Sequence, residues 1–312
     1  MTVGDFVIPE QPAALPATLD DVRGWFFGVD RFLFVWLLER QKRSAIAGDL
    51  IEMGAYLGRS AILVADYLRD GETFTVCDLF DSPAPDEANS GEMDMSYRDT
   101  LTRKAFEANY LAFHDALPNV IQAPTSVLSD GRIQPKSARF IHIDASHLYE
   151  HVIGDIRFAK EALTDDGVVV LDDFRSEHTP GVSAAVWEAV ATLGLIPVVV
   201  THNKFYGTWG DPHLVQEELV TDLSGHRDLT VYEENVRGRR LVRLRSKASL
   251  QPPAFRRSRV YDQVMAERAV EAKRGRRAEA PSQLSHRAKR FAKDFLPPVA
   301  TRALRNARRT DN

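Results

Sequence analysis

Short apolar runs and helical periodicities alternate between residues 45 and 210, and this order carries most of the fold prediction. The helical segments repeat apolar side chains every three or four positions, as Val152, Ile156 and Ala159 do. An alternation of strands and helices predicts an α/β fold with a mostly parallel sheet and helices on both faces. The runs that predict strands cover residues 49–53, 73–80, 119–123, 140–144, 168–171, 196–201 and 204–209.

Three segments stand apart from this alternation. Aromatic residues are frequent in residues 19–43, which predicts two short helices that cap the core, with a dimer contact or a cleft wall as the alternatives. Residues 81–98 contain Pro, Asp and Gly, and they predict a long loop that acts as a lid. Residues 231–245 predict either one more hairpin or an edge strand. The helices themselves are predicted at residues 58–69, 97–114, 147–163 and 181–193.

Charge divides the chain into unlike parts. Residues 252–312 hold 16 basic and 6 acidic residues, whereas residues 1–251 hold 24 and 38. We therefore predict an N-terminal arm and helical cap at 1–43, a central domain at 44–251 and a basic, partly helical or disordered extension at 252–312. The surplus of positive charge in this extension suits a peripheral contact with an anionic membrane.

The remaining composition excludes several classes of protein. Of the 312 residues, 44% are hydrophobic and 27% charged, which is typical of a globular chain and not of collagen or a wholly disordered protein. The single cysteine, Cys77, has no internal partner for a disulfide, which favours a reducing, cytoplasmic location. The longest apolar run, residues 32–38, is far shorter than the roughly 20 residues of a membrane span. Residues 1–12 lack the pattern of a signal peptide.

A glycine-containing turn follows the first predicted strand and opens a helix. It comprises residues 52–60 and includes Gly54 and Gly58. Glycine allows a ligand to approach the backbone closely, and a helix N-terminus favours polar or anionic groups. The next strand ends at Asp78, whose carboxylate can accept hydrogen bonds from both hydroxyls of a ribose. Asp81 is a weaker candidate for the same role.

Carboxylates cluster at the ends of two further strands. Asp144 closes one predicted strand, and Asp172 and Asp173 close the next. If these strands are parallel neighbours, the three side chains meet at the carboxyl edge, where such sheets bind ligands. Clustered carboxylates repel one another unless they are protonated or bind a cation, and their oxygens suit Mg²⁺, Mn²⁺ or Ca²⁺. His147, three residues after Asp144, is a candidate general base.

In combination, these motifs resemble class I S-adenosylmethionine-dependent methyltransferases. The pattern consists of E-x-G-x-x-x-G-x-S from Glu52, the strand-end Asp78, I-H-I-D-x-x-H-x-Y from Ile141 and V-L-D-D-F from Val170. It looks most like the metal-dependent branch that methylates sugar hydroxyls in macrolide and aminocoumarin tailoring. For that family, the resemblance implies a Rossmann-like fold with a seven-stranded, mostly parallel sheet.

The resemblance also implies roles for individual residues. His147 is the base, because Ser146 occupies the place where some relatives carry a second aspartate for this purpose. A magnesium ion, or another divalent cation, is held by Asp144, Asp172 and Asp173. The residues implied to bind S-adenosylmethionine are Glu52, Gly54, Tyr56, Gly58, Ser60, Asp78, Thr125 and Ser126, with Asp78 on the ribose and the last two near adenine.

The implied activity is Mg²⁺-dependent methyl transfer to the hydroxyl of a saccharide, glycolipid or glycosylated natural product. A phenolic or other small hydroxylated acceptor is the first alternative. A Mg²⁺-dependent hydrolase and a non-catalytic donor-binding protein are weaker ones. We expect a homodimer or higher homo-oligomer and no nucleic acid partner. Tyr97, Tyr206 and Trp209 are candidates for stacking on a sugar, whereas Phe205 fits core packing better.

Overall fold

One sheet of nine strands forms the centre of the part of the chain that the computed structural model describes, residues 15–96 and 101–270. The spatial order of the strands is β3-β2-β1-β4-β5-β7-β6-β9-β8. Their bounds are β1 (Asp49–Met53), β2 (Phe74–Asp78), β3 (Asn119–Gln122), β4 (Ala138–Ile143), β5 (Leu163–Leu171), β6 (Ile196–Val200), β7 (Phe205–Thr208), β8 (Leu229–Val236) and β9 (Arg239–Ser246).

Helices connect most of these strands. A 3₁₀ turn at Leu19–Asp21 precedes the first α-helix, and another at Thr125–Asp130 follows β3. The α-helices are α1 (Gly28–Arg43), α2 (Arg59–Ala65), α3 (Glu87–Ser96), α4 (Arg103–Leu111), α5 (Tyr149–Ala162), α6 (Pro180–Glu188) and α7 (His213–Leu223), and a π-helical turn at Ala189–Leu193 continues α6.

The mostly parallel sheet matches the prediction, but its strand number does not. Strands β1 to β5 pair in parallel, whereas β7 runs antiparallel to both β5 and β6. The seven-stranded sheet that the resemblance implied is extended to nine by a hairpin of β8 and β9. Strand β9 pairs in parallel with β6 through Val199 and Val242, so the predicted hairpin covers an edge that would otherwise be open.

Burial explains why the central strands are almost wholly apolar. Every residue of β2 and β4 is buried, so both faces of the sheet are covered at its centre. The register places Met53 beside Ile143, and Ile143 beside Leu171. These three residues end β1, β4 and β5, so the polar residues that follow them emerge side by side at the carboxyl edge.

Three predicted segments differ from the structure. Residues 19–43 form a 3₁₀ turn and the single helix α1, not two short helices. Residues 87–96 of the expected lid loop form helix α3, and the helix predicted from residue 97 begins only at Arg103. Thr102 accounts for that start, because its side-chain oxygen accepts a hydrogen bond from the Ala105 N–H at 3.1 Å and so caps α4. Residues 97–98 of the expected lid lie outside the described residues.

The described chain divides into two compact units after Arg259, whereas the sequence predicted a boundary after residue 251. Residues 252–259 belong to the unit that contains the sheet. The backbone N–H of Ser258 donates to Ala17 at 2.9 Å, and that of Arg259 donates to Ala112 at 2.7 Å. Residues 261–270 of the other unit are helical. No helix among the described residues is both long and apolar enough to cross a membrane.

Candidate active site

A large cavity of about 1550 Å³ lies along the carboxyl edge of the sheet. Its walls come from the turn after β1, the ends of β2, β4 and β5, the turn after β3, helix α3 and the segment before α1. The cavity therefore joins regions that are far apart in the sequence. The predicted site residues that line it are Gly54, Tyr56, Ser60, Asp78, Thr125, Ser126, Asp144, His147, Asp172 and Asp173.

The glycine turn is built against the end of β4. At Gly54 φ is +82°, and a Cβ there would lie 2.1 Å from the carbonyl oxygen of Asp144, so only glycine fits. Asp78 holds the turn from the other side: its Oδ2 accepts hydrogen bonds from the N–H groups of Ala55 at 2.6 Å and Tyr56 at 3.0 Å. Asp78 therefore fixes the turn as well as facing the cavity.

Two residues predicted to contact the donor lie elsewhere. Glu52 is completely buried beneath the turn and does not line the cavity, because its carboxyl group points toward the side chains of Ser60 and His142. Gly58 begins α2 with φ of +91° and lies against the ring of Phe106, where it has no place in the cavity wall. Both residues support the turn from behind.

A chain of buried polar side chains connects Ser60 and Asp172 of the cavity wall through residues that lie behind it. The Ser60 hydroxyl donates to Glu52 Oε1, and His142 Nδ1 lies 3.0 Å from the same oxygen. His142 Nε2 lies 3.1 Å from the Lys204 ammonium nitrogen, which also donates to Asp172 Oδ2. All five side chains are at least nine-tenths buried. The chain links the ends of β1, β4 and β5 to the turn between β6 and β7.

Burial shifts the protonation of this chain. It raises the pKa of Glu52 to about 8, against the lowering effect of the hydrogen bond from Ser60. It lowers the pKa of His142 well below the usual value, and the nearby Lys204 lowers it further. Glu52 and His142 are therefore neutral near pH 7. With Lys204 donating to Nε2, His142 carries its proton on Nδ1 and donates it to Glu52.

An aspartate and a histidine form a dyad at the cavity wall. His147 Nε2 lies 3.0 Å from Asp173 Oδ2, and the Ser176 hydroxyl donates to Asp173 Oδ1 at 2.8 Å. Burial would raise the pKa of Asp173, but the hydrogen bonds from His147 and Ser176 outweigh it and hold the pKa below its usual value. Asp173 adopts φ of +52°, a conformation that is costly for a residue with a side chain and occurs at functional sites. The geometry suits general base catalysis.

The three carboxylates predicted to hold a divalent cation are unequally available. Asp172 Oδ1 accepts hydrogen bonds from Asn203 Nδ2 at 2.5 Å and from the Asp173 N–H at 2.7 Å, and its Oδ2 accepts from Lys204. Asp173 is itself part of the dyad with His147 described above. Of the three, Asp144 alone has a side chain to which no described residue donates a hydrogen bond. Burial raises its pKa to about 7.

These observations test the predicted magnesium site. A Mg²⁺ ion needs carboxylate lone pairs that point toward one centre. One atom each of His142, Asp144 and Asp172 lies within 4.8 Å of the others, which is close enough to share a cation. The Lys204 ammonium already bonds two of these three residues. In this arrangement the donor set does not fit the ion.

The opposite end of the cavity is formed by the turn after β3. Thr125 and Ser126 line it, and the Thr125 hydroxyl donates to Asp155 Oδ1 on helix α5 at 2.7 Å. Burial raises the pKa of Asp155 to about 7, partly offset by that hydrogen bond. Asp81 does not line the cavity and instead accepts a hydrogen bond from Gln122 Nε2 at 3.0 Å. This leaves Asp78 as the acidic residue at the end of β2 that faces the cavity.

The cavity mouth carries aromatic side chains that the sequence did not indicate as ligand contacts. Trp25 is 65% exposed and Phe27 43% exposed, and the Trp25 ring lies 5.6 Å from the ring of Tyr56. Phe205 packs in the core, as expected, whereas the stacking prediction was wrong for Tyr206 and Trp209. Tyr206 is also fully buried in the core, and Trp209 donates its indole N–H to the Leu193 carbonyl away from the cavity. Tyr97 lies outside the described residues.

Comparison with known protein families gives a match to a family described as a methyltransferase domain, and the match covers residues 51–174. Residues 51–174 are therefore similar to a methyltransferase domain. This confirms the resemblance that the motifs indicated. The matched segment runs from β1 to just past β5, so it includes the glycine turn, Asp78, Asp144 and the dyad of His147 and Asp173.

Solved structures similar to the chain include three O-methyltransferases. The O-methyltransferase NovP is 20% identical, with a TM-score of 0.44, over 58% of this chain and 79% of that one. CalS11, a TDP-rhamnose 3′-O-methyltransferase of calicheamicin biosynthesis, is 15% identical, with a TM-score of 0.40, over 61% and 83%. A Bacillus cereus O-methyltransferase in complex with SAH is 13% identical, with a TM-score of 0.39, over 65% and 93%. Among curated protein sequences, none matches.

Several residues of the site lie outside the matched methyltransferase domain segment. Trp25 belongs to the N-terminal cap, and Asn203 and Lys204 belong to the turn between β6 and β7. Lysine is rarely buried, so a lysine after a predicted strand is ordinarily read as a solvated side chain. The one feature of the sequence that could have indicated a role for Lys204 is its position. Residues 201–204 connect two predicted strands of the sheet that carries the carboxylates.

Proposed function

We propose that the protein transfers the methyl group of S-adenosylmethionine to a hydroxyl oxygen of a sugar. The observation that carries this proposal is the continuous cavity that joins the glycine turn to the dyad of His147 and Asp173. The match of residues 51–174 to a methyltransferase domain supports the reaction class. A phenolic acceptor is the alternative, and the experiment below separates the two.

The donor is proposed to lie along the wall between the glycine turn and the turn after β3. Gly54 and Tyr56 form the floor at one end, and Thr125 and Ser126 form the other. Asp78 lines the cavity between them. Its oxygens accept the N–H groups of Ala55, Tyr56 and Phe80, and ribose hydroxyls would bond to their remaining lone pairs. This pose directs the methionine end of the donor toward Asp144 and His147.

The chemistry requires an in-line attack. The acceptor oxygen forms a bond to the methyl carbon, the carbon–sulfur bond breaks, and its electron pair stays on sulfur to give S-adenosylhomocysteine. The hydroxyl proton passes to the ring of His147. Asp173 stabilises the resulting imidazolium and orients the ring. Holding donor and acceptor in a near-attack arrangement supplies a further share of the rate.

The acceptor is proposed to enter past the aromatic side chains at the mouth. Trp25 and Phe27 offer exposed ring faces of the kind that cover the apolar face of a sugar ring. The half-buried Asp144 faces the same space and can accept hydrogen bonds from neighbouring hydroxyls of the sugar. A ring platform next to a carboxylate suits a polyhydroxylated ring better than a purely apolar one.

Magnesium dependence was expected from the carboxylate cluster and the resemblance, and no step above depends on it. If a divalent ion binds, Asp144, Asp172 and Asp173 are the residues expected to hold it, and it would polarise the acceptor oxygen. The present contacts of Asp172 and Asp173 do not leave their oxygens open for that purpose.

The test uses purified full-length protein and donor labelled on the methyl group. It is incubated with a panel of nucleotide sugars, free glycosides and catechol-type phenols, and the products are identified by mass spectrometry. We expect methylation of a sugar hydroxyl. His147→Ala should lower turnover by roughly 10²–10⁴-fold, the usual contribution of general base catalysis.

Donor binding provides the matched control. His147→Ala should bind S-adenosylhomocysteine in calorimetry as the wild type does, since the ring faces the acceptor end. His213→Ala, at an exposed histidine on α7, should change neither property. Transfer to phenols alone would refute the sugar assignment, and absence of donor binding would refute the methyltransferase proposal itself.

A further inference from the structure

We propose that the Lys204 ammonium group is the resident cation of the carboxylate cluster and takes the place of a divalent metal ion, so that methyl transfer needs none. The inference rests on the proposed function only for its consequence in catalysis. The binding of cations to the cluster can be measured without an acceptor.

The geometry is the first argument. The place where His142, Asp144 and Asp172 could share a cation is defined by atoms within 4.8 Å of one another. The Lys204 ammonium donates to Asp172 Oδ2 and lies 3.1 Å from His142 Nε2. The amino group of Lys204 therefore already occupies the position from which a cation would contact Asp172 and His142. Burial lowers the pKa of Lys204, whereas the carboxyl groups of Asp144, Asp30 and Glu52 favour its charged form.

Burial is the second argument. Lys204 is 1% exposed and does not line the cavity. The rings of Phe26 and Phe34 each lie 5.8 Å from its nitrogen and close the space around it. The side chain cannot withdraw to solvent without unpacking these rings. A metal ion would have to compete with a fixed ammonium group at two of its three ligands.

The local turn is the third argument, since it explains why Lys204 is held so firmly. The Thr201 N–H donates to the Lys204 carbonyl at 2.9 Å, and the Lys204 N–H donates to the Thr201 hydroxyl oxygen at 2.9 Å. The Thr201 hydroxyl in turn donates to the buried Asp30 on α1 at 2.8 Å. The same turn directs Asn203 to the other oxygen of Asp172.

Lys204 is a positioning residue, because it does not contact the reacting atoms itself. It acts on them through Asp172 and Asp173. It holds Asp172, and Asp172 Oδ1 accepts the Asp173 N–H at 2.7 Å. That bond stabilises the φ of +52° at Asp173, which directs its carboxylate toward His147. The ammonium group thus performs the structural task of a metal ion, which is to fix the carboxylates and offset their charge.

The experiment measures metal binding directly. Full-length protein is treated with chelator, desalted and titrated with Mn²⁺, with bound ion followed by electron paramagnetic resonance, and with Mg²⁺ by calorimetry. We expect no saturable site in the wild type up to millimolar ion. We expect Lys204→Met to gain one Mn²⁺ site and the double variant Lys204→Met/Asp172→Asn to lose it. Lys136→Met, which removes an exposed lysine paired with Asp165, is the matched control and should gain none.

Several results would overturn the proposal. One is a wild-type Mn²⁺ site that Asp172→Asn abolishes, and another is a folded Lys204→Met protein that binds no ion. If Lys204→Met does not fold, the wild-type titration still decides whether the cluster takes a metal. When an acceptor is found, chelated wild type should retain its full rate, and a rate restored only by Mg²⁺ would also refute the proposal. Failure to methylate any acceptor refutes the proposed function but leaves the titrations valid.

Discussion

Replacing Glu52 with glutamine should remove a large pH dependence of stability. The carboxyl group is wholly buried, and its Oε2 has no hydrogen-bond partner among the described residues. Its pKa is raised from 4.5 to about 8, mainly by burial and also by the nearby Asp144, against the lowering effects of Ser60 and Lys204. Near neutral pH the folded protein therefore keeps a proton on Glu52 that the unfolded chain releases.

The magnitude follows from linkage. One pKa unit corresponds to about 1.4 kcal/mol, so ionising Glu52 in the folded state costs on the order of 5 kcal/mol more than in the unfolded chain. Below pH 4.5 both states hold the proton and this contribution is constant. Between pH 4.5 and 8 the folded state binds more protons, so the free energy of unfolding falls by about 1.4 kcal/mol per pH unit. From pH 5.5 to 7.5 the loss is about 3 kcal/mol.

Glutamine has the same shape and no proton to lose. We expect the stability of Glu52→Gln relative to wild type to rise by about 3 kcal/mol between pH 5.5 and 7.5. Asp144 and Asp155, whose pKa values burial raises to about 7, titrate in the same window, so the difference between variant and wild type is the informative quantity. Urea unfolding followed by circular dichroism at pH 5.5, 6.5 and 7.5 measures it.

Glu161→Gln is the matched control, because that side chain is exposed on α5 and should give no change with pH. A difference between Glu52→Gln and wild type that stays constant across the three pH values would refute the reasoning. It would mean that Glu52 is ionised in the fold and is stabilised by a group other than those described.

Three further predictions concern the dyad, the cavity mouth and the C-terminal extension. Asp173→Asn should lower kcat by roughly 10²-fold in steady-state assays, since the carboxylate that orients His147 is lost; an unchanged kcat would contradict that role. Trp25→Ala should raise the acceptor KM by roughly tenfold and leave the calorimetric Kd for donor unchanged, because stacking on a ring contributes about 1 kcal/mol; an equal rise in both would place Trp25 at the donor instead. Deleting residues 252–312 should lower the Tm in calorimetry more than deleting 260–312, because the eight residues by which they differ are hydrogen-bonded to the domain; equal Tm values would show that these bonds contribute nothing.

Local pattern was sufficient to predict where the chemistry lies. Alternating strands and helices imply a parallel sheet, and residues that directly follow strands must emerge at one edge. Asp144, Asp172 and His147 therefore line one cavity, as their positions after predicted strands indicated. The requirement for Gly54 was also visible in the sequence, since a turn between a strand and a helix has little room for a side chain.

The surroundings of these residues depended on contacts between distant segments. Glu52 sits at the end of a strand like Asp78, yet one is sealed beneath the turn and the other faces the cavity. The difference arises from the side-chain alternation of β1 and from packing against His142 on β4. Trp25 becomes part of the cavity only because the N-terminal cap folds over the carboxyl edge.

Lys204 shows most clearly what only the tertiary structure decided. A lysine between two strands is expected in solvent, because desolvating an ammonium group is costly unless partners repay it. Those partners are Asp172, which directly follows β5, and His142 in β4. The rings of Phe26 and Phe34, which lie near the ammonium group, belong to the N-terminal cap and to α1. The sequence determined that carboxylates would gather at one edge, since that follows from strand direction alone. The cation that offsets the charge of these carboxylates is supplied by the turn between β6 and β7, which places the Lys204 side chain beside them. No local sequence pattern encodes that contact.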